Sequence, residues 1–182
     1  MEYAYKLIRS DRKTVSLQIL ADGSLLVRCP RKMSAQQVQA FVDSKRNWIQ
    51  KHLSNQPEPL PTLTHAQMQK FILRAKEILP PRVAYFAQML GVSYGRITIR
   101  NQRTRWGSCS SKGNLNFNFL LVLVPAEVRD YVVVHELCHL KEMNHSKDFW
   151  NLVEGILPDY RTHRKWLKAH GSALIASISD RG

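Results

Sequence analysis

The sequence predicts an α+β fold, and three observations carry that prediction. Runs rich in β-formers at residues 3–10, 13–20 and 25–30 open the chain, and two more follow at Ile97–Arg100 and Leu115–Val122. Apolar residues elsewhere recur at three- and four-residue steps, the period of a helix packed on one face. With 182 residues and 44% hydrophobic content, the chain can build one ordinary domain or two small ones.

The first three strands read as a small antiparallel β-meander, turning at Ser10-Asp11 and at Asp22-Gly23. Ser34 then suits the N-cap of a helix that carries Val38, Phe41, Val42, Trp48, Ile49 and Leu53. Three prolines in five positions, Pro57, Pro59 and Pro61, block both helix and ladder, so residues 57–62 read as a linker. It separates an N-terminal subdomain, 1–56, from a larger domain, 63–182.

The larger domain opens with a helical pattern from His65 to Leu90, ended by Gly91. Pro80-Pro81 falls inside it and predicts a kink or break. The strands Ile97–Arg100 and Leu115–Val122 flank the turn-rich segment Trp106–Gly113 and read as a hairpin around a long loop. Pro125 suits the first turn of a helix from Ala126 to about Met143, with Asn144 expected to end it in the left-handed conformation. Ser146 caps the next helix, and a last one is predicted from about Asp159 to Ala169.

Composition excludes several classes. The longest apolar stretch, Phe119–Pro125, is far short of the roughly 20 residues of a membrane span. Glu2, Lys6 and Arg9 interrupt any signal-peptide core, so the mature protein is expected to begin at Met1 or Glu2. Cys29, Cys109 and Cys138 are an odd number at no repeating spacing, which predicts a reducing, cytoplasmic setting.

The net charge of +13 lies wholly before residue 121, and no acid occurs between Glu77 and Glu127. The basic segment 82–112 would suit a nucleotide or nucleic acid, against the plainer reading of a solvated basic surface.

The chemistry sits in His135-Glu136-Leu137-Cys138-His139, the H-E-x-x-H pattern. Four residues along a helix put the two imidazoles about 40° apart on one face, where both reach one Zn²⁺. Glu136, beside that face, is placed to take a proton from water as general base. Val132, Val133 and Val134 precede the motif, so the helix is buried, where His and Glu are costly without partners. A catalytic zinc takes three protein ligands. His145, six positions beyond His139, leads for the third, and Glu154 on the following helix is its rival. Metzincins share that six-residue offset but place Gly where Glu142 stands, so the turn here is made differently. Cys138 reads as core and Cys109 as a buried thiol. Arg105, Trp106, Ser108 and Asn118 are candidate substrate or supporting contacts, against the plainer reading that Trp106 packs in the core and Arg105 answers an acid near the motif helix. His163 is a weaker candidate for the same role.

The runs Thr104–Ser110, Asn114–Asn118 and Tyr131–Ser146, followed by Phe149-Trp150, resemble the YgjP-like zinc metallopeptidases, small zincins related to the SprT and WLM groups. The likeness extends over nearly the whole chain, from Arg12-Lys13-Thr14 to Leu157–Tyr160. It implies a zincin-like α+β fold, zinc (with other divalent metals as alternatives) on His135, His139 and His145, and Glu136 as the catalytic residue. Two readings from other classes stand beside the peptidase: a metal-dependent nucleoside triphosphate hydrolase using the basic segment, and a nucleic-acid-associated protein whose metal is structural. A peptidase recruited to DNA by its basic surface joins the two.

Overall fold

The fold is mixed α and β, with six helices and two small sheets among the described residues. The structure, a computed structural model, describes residues 3–20, 23–54 and 60–178. The chain divides into two compact units, 1–59 and 60–182. Residues 57–59, half of the expected linker, lie outside the described residues, as does Asp22 of the second turn.

The first unit holds strands β1 (Tyr5–Ser10), β2 (Ser16–Ile19) and β3 (Leu25–Pro30). They do not form the expected meander: the order is β1-β3-β2, with β1 parallel and β2 antiparallel to β3. The reason is burial. Leu25, Leu26, Val27 and Cys29 are all buried, so this run takes the centre, whereas β1, with Lys6 and Arg9, is exposed along most of its length and suits an edge.

Ser34 caps the following helix with a reciprocal Gln37 contact, as its sequence signals. That helix is two, α1 (Ala35–Ser44) and α2 (Arg46–Leu53), interrupted at Lys45. The Ser44 hydroxyl donates to the Phe41 carbonyl there, one of the local bonds by which serine competes with helix continuation. Val38, Val42 and Ile49 bury against Leu25, Val27 and Cys29.

The second unit opens with α3 (His65–Leu90), capped by Thr64 and ended by Gly91 in the left-handed conformation. Pro80 and Pro81 do not break it. The carbonyls that lose a partner belong to Lys76 and Glu77, both exposed residues on the helix's wet side.

The second sheet repeats the first one's pattern. Its strands are β4 (Ile97–Arg100), β5 (Gly107–Cys109) and β6 (Leu115–Asn118), in the order β4-β6-β5. The two expected strands are therefore parallel neighbours, not a hairpin. The hairpin joins β5 to β6 through Gly113 at φ 72°, so the predicted loop contains a strand. Beyond Asn118 the chain forms a 3₁₀ turn, Phe119–Val122, in place of more strand.

Helices α4 (Ala126–Cys138), α5 (Lys147–Ile156) and α6 (Tyr160–Ala176) complete the unit. The bidentate pair Arg82–Asp130, at 2.9 and 2.7 Å, ties α3 to α4. Leu79, Val83 and Phe86 of α3 share one core with Phe117, Val133, Leu137 and Phe149. Among the described residues no helix is long and apolar enough to cross a membrane.

Candidate active site

Helix α4 is buried on most sides, Val132, Val133, Val134, Leu137 and Cys138 being at most 3% exposed. His135 and Glu136 stand in its last turn, and His139 is its C-cap. The helix stops five residues short of the expected end. Backbone bonds from Leu140 to Leu137 and from Lys141 and Glu142 to Cys138 turn the chain. No described non-glycine residue has positive φ, so Asn144 does not supply the left-handed stop expected of it. The turn is instead pinned by His139, whose Nδ1 lies 3.0 Å from the Glu142 carbonyl. Ser146 caps α5, as predicted, and the short stretch between brings His145 back over α4.

His135, His139 and His145 form one cluster, with ligand atoms within 4.8 Å of one another. His135 Nε2 and His145 Nε2 are 3.0 Å apart. Nitrogens around a tetrahedral centre with bonds of about 2.0–2.1 Å stand about 3.3 Å apart, so the spacing fits a metal. The His139–Glu142 contact adds to the fit, because a proton held on Nδ1 leaves Nε2 as the free lone pair. His135 Nδ1, buried, has no partner among the described residues. Burial and the neighbouring imidazoles push His135 down to about 3, and burial with His139 lowers His145, so both stay neutral, the form that ligates. Glu154 is not in the cluster and pairs with Arg161 at 2.8 Å.

Glu136 is 5% exposed. Burial raises its carboxyl to about 8, against the opposing effects of the Arg105 charge and a hydrogen bond from the Cys109 backbone. Strand β5 packs so closely here that a Cβ on Gly107 would stand 2.7 Å from Glu136 Cγ and Oε1.

Two cavities meet at His135 and Glu136. One, of about 240 Å³, is walled by Arg105, Trp106, Tyr131, Val132 and Leu167. The other, of about 330 Å³, adds Ser108, Cys109, Met143, His139 and His145. Arg105 and Gly107 border both.

Of the candidate contacts, Arg105, Trp106 and Ser108 line these cavities, and Trp106 also packs against the core. Asn118 does not. It is fully buried, donating to the carbonyls of Gln102 and Arg105 and accepting from Leu120 N–H, so it braces the loop that carries Arg105. His163 is also buried and lines neither cavity; its Nε2 lies 3.3 Å from Asp159.

The family model for the YgjP-like, metallopeptidase domain matches residues 13–73 and 61–170. The chain belongs to the YgjP-like metallopeptidase family. Its members are metal-dependent hydrolases, and family and histidine cluster together point to a divalent metal and a peptide substrate. Among solved structures the chain is similar to the metallopeptidase zymogen abylysin of Pyrococcus abyssi, 21% identical over 50% of this chain and 93% of that one, with a TM-score of 0.46. It is also similar to the metallopeptidase zymogen jannalysin of Methanocaldococcus jannaschii, 24% identical over 48% and 89%, with a TM-score of 0.42. The search of curated proteins found no match.

In this YgjP-like site the sequence reading missed Gly107 and the aromatic surround. Phe149 has its centroid 4.9, 4.6 and 4.8 Å from the rings of His135, His139 and His145, forming the floor of the cluster. A glycine inside a strand is a signal of close approach that points to Gly107.

Proposed function

We propose that the protein is a zinc-dependent peptidase in which His135, His139 and His145 hold the metal and Glu136 moves the protons. The observation that carries this reading is the convergence of three imidazoles beside one buried carboxyl. A zinc ion bound by three imidazoles polarises a carbonyl and acidifies water.

Glu136, beside the histidines in the last turn of α4, takes a proton from the attacking water and returns it to the departing amine; a dication on the three imidazoles would favour the ionised carboxylate that this step needs. Gly107 leaves room for that carboxyl, and the Cys109 N–H orients it. Among the described strands β5 pairs only with β6, and its outer edge, where the Cys109 N–H meets Glu136, borders the histidine cavity and would take an extended peptide there. Arg105, Trp106 and Ser108 contact the side chains flanking the scissile bond.

The domain 63–182 carries this chemistry, joined by 57–62 to the 1–56 subdomain. The three unpaired cysteines suit a reducing cytoplasm. Wild type and Glu136→Gln, with zinc content measured, are assayed against a mixed peptide library and a nucleoside triphosphate panel. Peptide cleavage by wild type, reduced about 10²- to 10⁴-fold in the zinc-loaded variant, is expected. Turnover of nucleotides alone overturns the peptidase reading.

A further inference from the structure

The three histidines are not held equally. His135 and His139 are anchored to α4, and His139 is further tied to the Glu142 carbonyl. His145 lies on the connection between α4 and α5 and is exposed, and among the described residues its polar contact at hydrogen-bond distance is with His135 itself. Two like imidazoles facing each other give no reason to stay together without a metal. What fixes the ring of His145 is aromatic.

Trp150 stacks on His145, centroids 5.8 Å apart and planes 26° apart, while Phe149 meets it edge-on at 4.8 Å. Trp150 is in turn clamped from its other neighbours. Tyr160 stacks on it at 5.3 Å and 16°, and the Arg164 guanidinium sits 4.7 Å from its ring centroid. Tyr160 is buried and stacks at 6.4 Å on Tyr131, whose ring meets His135 edge-on at 5.9 Å. The series Tyr131–Tyr160–Trp150–His145 therefore starts on α4, crosses α6 and α5, and ends on the histidine that lies on the connection between helices. It sets the distance of His145 from α4 through rigid rings, which lose little freedom on packing.

We propose that Trp150 is a positioning residue that preorganises His145 as the third metal ligand. The proposal rests on the reading of the three histidines as ligands. Trp150 borders neither cavity, so its action is on the ligand and not on the substrate. It predicts a loss of metal affinity of about ten- to a hundredfold when the ring is removed, the range found for residues that orient ligands.

Zinc affinity of the full chain is measured by chelator competition for wild type, Trp150→Phe, Trp150→Ala, His145→Ala and the double variant, with Co²⁺ absorption spectra as a second readout. Trp150→Phe is expected to bind within about threefold of wild type, since a flat ring remains. Trp150→Ala is expected to bind ten- to a hundredfold more weakly, with an altered Co²⁺ spectrum. The double variant is expected to bind no more weakly than His145→Ala, because both remove one interaction. Wild-type affinity in Trp150→Ala, or losses that add in the double variant, overturns the proposal. If Trp150→Ala does not fold, Trp150→Leu is judged by the same two criteria. The two readings fail differently. Wild-type affinity in His145→Ala removes the ligand assignment and this proposal with it, whereas a weak His145→Ala beside a normal Trp150→Ala removes the proposal alone.

Discussion

The two sheets of this protein share one plan. In each, the first strand runs parallel to the third, and the second strand pairs antiparallel with that same third strand and forms an edge. In each the central place goes to the most buried strand, β3 or β6. In the second unit that edge, β5, borders the histidine cluster. The edge β2 carries ordinary side chains at Ser16–Ile19, whereas β5 has Gly107 where it meets Glu136. The topology supplies an open edge twice; a missing side chain turns one of them into half of a site.

The strongest way to break this comparison is Gly107→Ala. Its Cβ would fall 2.7 Å from Glu136 Cγ and Oε1 and 2.9 Å from Cδ, so the carboxyl must move. A misplacement of about 1 Å at a reacting group costs on the order of 10²-fold. Peptidase activity is expected to fall by about that factor with zinc content unchanged. The matching change in the other edge strand, Gln18→Ala, at an exposed position, is expected to leave activity and stability near wild type. Equal activity of Gly107→Ala and wild type in a kcat/KM measurement sinks the idea that this close approach sets the carboxyl.

A second test sharpens the contrast through pH. In the metal-free protein the folded-state pKa of Glu136 is raised from 4.5 to about 8, chiefly by burial. Below pH 4.5 both folded and unfolded chains hold the proton, and the advantage of the neutral buried form is fully present. Between 4.5 and 8 only the folded chain keeps it, so stability falls as pH rises through that window. Glu136→Gln has nothing to ionise. The melting temperature of the metal-free variant is expected to exceed that of wild type by several degrees more at pH 8.5 than at pH 5. A gap that is the same at both pH values contradicts the raised carboxyl.

Much of this was legible in the residues themselves. His135, Glu136, His139 and His145 come together because a four-residue step on a helix and a six-residue return are short-range geometry, which spacing encodes. The caps Ser34 and Ser146 were legible for the same reason. Strand order was not. Ser10-Asp11 looks like a hairpin turn locally, and only the competition between Leu25–Pro30 and the charged Tyr5–Ser10 for the buried centre excludes it. The same long-range competition hid β5, three residues of which none is a strong β-former. Asn118 and His163 carry groups suited to a site, but burial and their partners, the Arg105 carbonyl and Asp159, spend them on the scaffold.

The smallest expected effect concerns what stands behind β5. Trp106 precedes the strand, and its indole rests against Gly171 in the interior of α6, where a Cβ would lie 3.0 Å from Nε1 and 3.2 Å from Cζ2. Gly155 in α5 is also helical, but a Cβ there would meet nothing within 4 Å. Helix propensity alone favours alanine at both, by up to about 1 kcal/mol. If the neighbourhood of β5 is packed as tightly as Gly107 implies, the two must part: Gly155→Ala gains stability, by up to about 1 kcal/mol, and Gly171→Ala gains none because Trp106 has to give way by a few tenths of an ångström. Since Trp106 walls the cavity beside Glu136, Gly171→Ala should also raise KM by a small factor while kcat holds. Equal stabilisation by both substitutions in chemical denaturation, with KM unmoved, would mean that Trp106 is loosely seated and that tight fit at this edge ends with Gly107.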